Sequence, residues 1–273
     1  MDIPFELTEE QIQWKVWRCL ADQPRPSEGE ICPYCGGLGA LTLDVPIHHP
    51  AFGKAWHCVC RRAAIENKRL REMLHDANIP EEYLGYSCES FSRLAGDDED
   101  KALALEYCRQ FAVHDRIPHH ETGIVKPGLF LYGDFGVGKT GLAAAVMNER
   151  LLRGGSVVWL GFIQFIGDVQ DTYSSQRSGS KYISRKDVIQ AAAKASFLLI
   201  DDMGDRDATR PLSDDQRHIT FELLEARRVN RRPTLITSNL LPAEFMTQFK
   251  GRIAQRVFEM CHTVRVGGRV LRK

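Results

Sequence analysis

The chain runs to 273 residues with 43% hydrophobic side chains, enough to bury one core of about 180 residues and to add a smaller unit. Its 36 basic and 36 acidic side chains cancel, so net charge neither demands nor excludes a nucleic-acid partner, and local clusters have to decide. No apolar run approaches about 18 residues, and Met1-Asp2-Ile3-Pro4-Phe5-Glu6 lacks a basic stretch followed by an apolar core, which argues for a cytoplasmic chain and against a secreted or membrane-spanning one.

The first predicted element is a helix over Leu7–Ala21. It carries Ile12, Val16 and Leu20 with the aromatics Trp14 and Trp17, a stripe that suits either a core or a docking face. Pro24, Pro26 and Gly29 then break the chain. Cys32-Pro33-Tyr34-Cys35-Gly36-Gly37 has the form of a knuckle turn whose glycines let backbone N–H groups face thiolate sulfur, and Cys58-Val59-Cys60 supplies a second pair. Together they predict a structural zinc site with ligands Cys32, Cys35, Cys58 and Cys60. The second pair is tighter than the common C-x-x-C, so His57 is an alternative to Cys58. Four closed ligands leave no place for substrate, and small domains often need the metal to fold. Cys19, Cys88, Cys108 and Cys261 show no such pairing and read as ordinary packing residues.

Arg61–Asp76 reads as a polar connecting helix, and the acidic run Gly96-Asp97-Asp98-Glu99-Asp100 as the cap of a helix over Lys101–His114. The apolar run Leu129–Tyr132 leads straight into Gly133-Asp134-Phe135-Gly136-Val137-Gly138-Lys139-Thr140, a complete phosphate-binding loop. Gly133, Gly136 and Gly138 permit a tight turn that presents N–H groups to phosphate oxygens at the positive end of the following helix, Leu142–Leu152. Lys139 would reach the β- and γ-phosphates of ATP, and the Thr140 hydroxyl would enter the shell of a bridging Mg²⁺.

The magnesium ion needs a carboxylate at the end of a neighbouring strand. Phe197–Ile200, preceded by a helical stretch over Val188–Ala195, ends in Asp201, the expected metal partner, and Asp202, placed to activate water or merely to cap the turn at Met203-Gly204. A further strand, Thr234–Thr237, ends in Ser238-Asn239, where an amide could position the attacking water, although Asn also simply favours turns. With Val157–Leu160 and Thr263–Val266 these make five strands separated by helices, hence an α/β fold with a parallel sheet covered on both faces. Residues 174–186 hold Arg177, Lys181, Arg185 and Lys186 among serines, with Tyr173 and Tyr182 nearby. The stretch reads either as a solvated loop or as a contact for single-stranded DNA, rings stacking on bases while cations hold phosphates. The stretch 250–273 carries Lys250, Arg252, Arg256, Arg265, Arg269, Arg272 and Lys273 against Glu259, a charge balance that could meet a phosphate backbone.

Taken together, Gly133–Thr140, Leu199-Ile200-Asp201-Asp202, Pro233-Thr234-Leu235-Ile236-Thr237-Ser238-Asn239 and Gly251-Arg252-Ile253-Ala254-Gln255-Arg256-Val257 resemble the DnaC/IstB-type group of AAA+ ATPases, over residues 73–273. The resemblance implies a P-loop NTPase sheet of strand order 5-1-4-3-2 behind an N-terminal unit, residues 1–72, that docks a partner. It implies that Asn239 is similar to sensor 1, Arg256 to the arginine finger acting on ATP of an adjacent subunit, with Arg252 second for that role, and Arg272 to sensor 2. The segment Ala77–Leu84 leading to Ser90-Phe91 resembles the start of such ATPase domains, which often borders the adenine. Many AAA+ enzymes have Glu where Asp202 stands, so turnover is expected to be slow and stimulated by assembly into a homo-oligomer. The function implied is that of a helicase loader, binding ATP and Mg²⁺, contacting single-stranded DNA and delivering a replicative DNA helicase. A transposition-accessory ATPase on duplex DNA and a slow ATP-switched binding module are the alternatives.

Overall fold

The computed structural model describes residues 6–20, 31–62, 65, 76–95, 98–119, 121–171, 184–204 and 212–271, and the chain divides into two compact units, Met1–Glu72 and Met73–Lys273. Pro24, Pro26 and Gly29, most of the connecting helix expected over 61–76, the acidic residue Asp97, the loop cations Arg177 and Lys181 with Tyr173 and Tyr182, and Arg272 and Lys273 lie outside the described residues.

In the first unit α1, Glu9–Cys19, starts at a capping box in which the Thr8 side chain accepts from the Gln11 N–H and the Gln11 side chain returns the bond to the Thr8 backbone. The stripe on this helix is divided between tasks. Ile12 and Val16 are buried against Ala51 and Trp56, Trp17 packs beside the cysteines, and Trp14 stays exposed beneath the Arg18 guanidinium. Cys19 falls on the open side of α1 and is exposed, which corrects its reading as a packing residue. The described residues that follow include the antiparallel pair β1, Ala40–Thr42, and β2, Ala55–His57, and then a short 3₁₀ turn, Val59–Arg61. Strands of three residues leave no alternation to detect in sequence.

The second unit opens with the 3₁₀ turn Glu81–Tyr83, then α2, Cys88–Ala95, and α3, Glu99–Val113. Within the acidic run it is Asp98 that caps α3, its side chain accepting from the Lys101 N–H at 3.0 Å. A small antiparallel pair, β3 (Ile117–Pro118) with β4 (Val125–Lys126), precedes the principal sheet. That sheet is built from β5 (Gly128–Tyr132), β6 (Val158–Gly161), β7 (Leu198–Asp201), β8 (Thr234–Ser238) and β9 (Cys261–Arg265), in the order β6-β7-β8-β5-β9 with every pair parallel. Counting only these strands from the N-terminus, this is the expected 5-1-4-3-2.

Both faces of the sheet are buried, as parallel strands require. Alternate side chains separate the cores: Leu129, Leu131, Leu199 and Leu235 point to one, under α2, α3 and α4 (Lys139–Leu152); Phe130, Leu198, Ile200 and Ile236 point to the other. The second core is covered by α5 (Phe162–Asp171), α6 (Arg185–Lys194), α7 (Asp214–Val229), α8 (Pro242–Gln248) and α9 (Arg252–Met260). Cys88, Cys108 and Cys261 are buried and unpaired; burial pushes the thiols of Cys88 and Cys261 up to about 12 and that of Cys108 well above its ordinary value, so they pack as neutral groups.

A fully buried cation sits behind the second core. Arg227 of α7 is fully buried, and its guanidinium donates to the carbonyls of Ala192, Ala193 and Ala195 at the C-terminal end of α6, to the carbonyl of Pro233 and to the Thr234 hydroxyl. Burial brings it down to about 9, still charged at neutral pH, where the carbonyl ends of α6 favour a cation. Arg227→Met should therefore lower the unfolding free energy by about 3 kcal/mol or more, since several buried acceptors lose their donor. Arg227→Lys should recover less than half of that, because an ammonium lacks the planar fork. Urea denaturation measures both, and an unchanged midpoint for the Met variant would refute the stapling role.

Candidate functional site

The strand-loop-helix passage from β5 to α4 builds the phosphate-binding loop. Gly133 and Gly138 hold φ of +155° and +105°. A Cβ on Gly133 would come within 2.2 Å of the Val266 carbonyl oxygen, and one on Gly138 within 2.8 Å of Leu271 and 2.9 Å of Phe91, so both positions require glycine. Gly136 is likewise left-handed, Val137 is buried beneath the loop, and Asp134 and Phe135 form its exposed tip. Lys139, the first residue of α4, turns back over the loop, its ammonium donating to the carbonyls of Gly133 at 3.1 Å and Asp134 at 2.7 Å.

Three segments from different strands meet beside it. Asp201 Oδ1 at the end of β7 accepts from the Thr140 hydroxyl at 3.2 Å and from the Thr237 hydroxyl of β8 at 2.6 Å. Asp202 follows in a left-handed conformation, φ +55°, and its carboxylate accepts from Asn239 Nδ2 at 2.5 Å. Burial is the main influence on Asp201 and raises its pKa in spite of the two hydroxyl donors. A carboxylate withdrawn from water beside a hydroxyl is a hard oxygen donor set in need of positive charge, which fits a Mg²⁺ ion held by Thr140 and Asp201.

These groups line a cavity of about 510 Å³ together with Lys139, Asp202 and Asn239. Its other wall consists of residues that the motifs do not include: Tyr83, Tyr86, Phe91 and Leu271. The carbonyls of Tyr83 and Tyr86 are both held by Asn148 Nδ2 of α4, at 2.8 and 2.9 Å, and Tyr83 stacks on Trp159 with ring centroids 5.3 Å apart. Gly141 makes room for Tyr86, since a Cβ there would lie 3.0 Å from the ring. Tyr83 and Phe91 belong to the segment likened to an adenine border and Tyr86 lies between them, but no periodicity marked the trio. Leu271 is carried in by the segment after β9, where the Leu271 N–H donates to the Gly136 carbonyl at 2.8 Å and the buried Lys101 ammonium holds the Arg269 carbonyl at 2.8 Å.

Neither Arg252 nor Arg256 is among the residues that line this pocket. Arg256 on α9 is paired with Glu225 at 2.6 Å and Glu259 at 3.0 Å, over the ring of Phe221. Arg252 is exposed at the first residue of the same helix, and Arg272 lies outside the described residues. Of the loop 174–186, Arg185 begins α6 and pairs with Asp215 at 2.7 Å.

In the first unit the Sγ atoms of Cys32, Cys35, Cys58 and Cys60 all lie within 4.8 Å of one another. The Cys32–Cys58 and Cys35–Cys60 separations are 3.7 and 3.6 Å, close to the edge of about 3.8 Å that a tetrahedron with Zn–S bonds of about 2.3 Å would have. His57 is not among these ligand atoms; its backbone instead exchanges hydrogen bonds with Gln13 and accepts one from Trp17. Burial opposes ionisation of Cys35, but the Gly39 N–H, 3.1 Å from its sulfur, and the neighbouring thiols bring it down to about 7. Burial and the same neighbours push Cys60 up to about 12. The donor set therefore fits zinc, whose binding would release the thiol protons.

Comparison with known proteins agrees with this geometry. The model of the IstB-like ATP-binding protein family matches residues 125–273. The replicative helicase loader DnaI of Bacillus subtilis is 23% identical over 261 residues, 88% of this chain and 78% of its own length. The loader DnaC of Escherichia coli is 31% identical over 128 residues, 46% of this chain and about half of its own length (47%). The crystal structure of the DnaC helicase loader superposes with a TM-score of 0.55 at 19% identity, covering 69% of this chain and 100% of that one, which shows a shared fold. The phosphate-binding loop, the strand order and the matched residues together establish that this chain belongs to the IstB-like ATP-binding protein family, on the AAA+ fold of the DnaC-type proteins.

Proposed function

We propose that the protein is an ATP-switched helicase loader that grips a replicative helicase through its cysteine-bearing unit and delivers it to single-stranded DNA. The observation that carries this reading is the extent of the likeness to the Bacillus subtilis loader. It runs over 88% of the chain, through both units, whereas the likeness to an ATP-binding protein of a Mycobacterium tuberculosis insertion sequence covers 51%. The family's own description, IstB-like, supports the second reading, an accessory ATPase of transposition acting on duplex DNA.

In the pocket, Lys139 would neutralise the β- and γ-phosphates of ATP, and Thr140 and Asp201 would hold Mg²⁺, whose charge would offset that of the phosphoryl group. Asn239 holds the Asp202 carboxylate where that acid can take a proton from the attacking water. Tyr83, Tyr86 and Phe91 offer an apolar wall to the base. Arg256, ion-paired with Glu225 and Glu259 in the single chain, serves as a finger for the nucleotide of a neighbouring copy, so that assembly controls hydrolysis.

Lys139→Ala should weaken MgATP binding about 10- to 100-fold, the value of a charge-assisted contact, in a titration with a fluorescent ATP analogue. Arg256→Ala should bind ATP as the wild type does but lose assembly-stimulated turnover by about 10³-fold or more; an unchanged stimulated rate would remove Arg256 from that role. Elemental analysis should find one zinc per chain, absent from Cys60→Ser. Affinity should fall as pH is lowered, because Cys60, at about 12 without metal, must give up its proton to bind it. The loader reading itself is tested by capturing purified replicative helicase with the full chain and a non-hydrolysable ATP analogue. Cys58→Ser should lose capture while keeping ATP, and preferential capture of duplex DNA and a transposase would favour the second reading.

A further inference from the structure

The ends of β7 and β8 are laced together residue by residue. The Thr237 hydroxyl donates to Asp201 Oδ1 at 2.6 Å and accepts the Asp202 N–H at 2.9 Å. The Met203 N–H donates to the Thr237 carbonyl at 2.8 Å, and the Ser238 hydroxyl donates to the Met203 carbonyl at 2.7 Å. Asn239 closes the series on the Asp202 carboxylate. The regular ladder between the two strands ends at Ile200↔Ile236, and beyond it three side chains and the single backbone bond from Met203 to Thr237 hold the strand ends together.

Within this lacing Thr237 has a special position. A hydroxyl has a single proton to donate, and here it is committed to the carboxylate that the nucleotide reading assigns to the metal. Its lone pair holds the backbone N–H of Asp202, whose φ of +55° is an uncommon conformation for a residue other than glycine. Thr237 is 1% exposed, and a β-branched side chain has few rotamers, so the oxygen has little freedom to wander. Asp201 Oδ1 is also the atom that the Thr140 hydroxyl reaches, at 3.2 Å. Through one oxygen, then, β8 sets both the direction of the Asp201 carboxylate and the backbone turn that aims Asp202.

We propose that Thr237 is a positioning residue of the ATPase site, orienting the metal-holding carboxylate of Asp201 and, through the Asp202 N–H, the second acid. This rests on the reading of the pocket as an ATP and Mg²⁺ site. Partners in the layer behind a metal ligand are worth about 10- to 100-fold in metal affinity. A threonine that served only to stabilise the strand would affect folding and leave the magnesium response alone.

The experiment uses the full chain as wild type, Thr237→Val and Thr237→Ser, titrated with a fluorescent ATP analogue in EDTA and across a magnesium series, with thermal melting as a check on folding. Thr237→Val should bind the analogue in EDTA within about twofold of wild type but need about tenfold more magnesium. Its kcat at saturating ATP should fall further than KM rises. Thr237→Ser, which keeps the oxygen, should recover most of both. If Thr237→Val does not fold, Thr237→Ala is judged on the same readouts. A wild-type magnesium response in the hydroxyl-free variant, or a serine variant as impaired as it, would overturn the proposal while the ATP site stands. If the wild type itself takes up no nucleotide, both readings fall together.

Discussion

A carboxylate withdrawn from water must find partners or give up its charge, and Asp201 finds its partners on two other segments of the sheet. Thr140 reaches it from the helix that follows β5, Thr237 from β8, and β8 lies between β5 and β7 in the sheet. The strand order therefore has a chemical consequence. It puts the first turn of α4, the end of β7 and the end of β8 within hydrogen-bond range of one oxygen atom, and this convergence makes an oxygen-rich corner from residues far apart in the chain. The rest of the pocket is arranged around it, with Lys139 on one side and the Asp202–Asn239 pair on the other.

The opposite wall depends on distant pieces of chain. Asn148 pulls the backbone of Tyr83 and Tyr86 onto α4, and the segment after β9 returns over the phosphate-binding loop, tied at Val266 to Tyr132, at Leu271 to Gly136 and at Arg269 to Lys101. The glycines of the loop are thus constrained from outside as well as by phosphate chemistry: Val266 stands against Gly133 and Leu271 against Gly138. Loop and tail fit only if those positions stay bare.

The two units solve the problem of stability differently. The larger one has two cores separated by a sheet buried on both faces, and can even hold an arginine, Arg227, by satisfying it with carbonyls. The smaller has short strands and a modest apolar cluster around α1, so four converging thiols are where further stabilisation would come from. Neutral overall charge conceals local order as well. Arg256, Arg228, Glu225 and Glu259 form a network on α7 and α9, although Arg256 also counts in sequence as part of the basic stretch 250–273.

What could be read from the residues alone was whatever depends on neighbours in the chain. The phosphate-binding loop declares itself because glycine is needed at set positions before a lysine. The five strands show because each is a short apolar run, and the four cysteines because knuckle turns are local. Cys19 was misjudged because residue type does not tell which side of α1 faces outward. The position of Asn239 after β8 suggested a role but not its partner, and Thr237, though within the stretch that carries the resemblance, suggested no role of its own, since a threonine in a strand is ordinary. Tyr83, Tyr86, Phe91 and Leu271 became neighbours of the loop only when the chain folded over it. Motif chemistry is written in consecutive residues because backbone geometry is local, whereas the walls of the pocket and the orientation of its acids arise from contacts between strand ends that only the assembled sheet brings within reach.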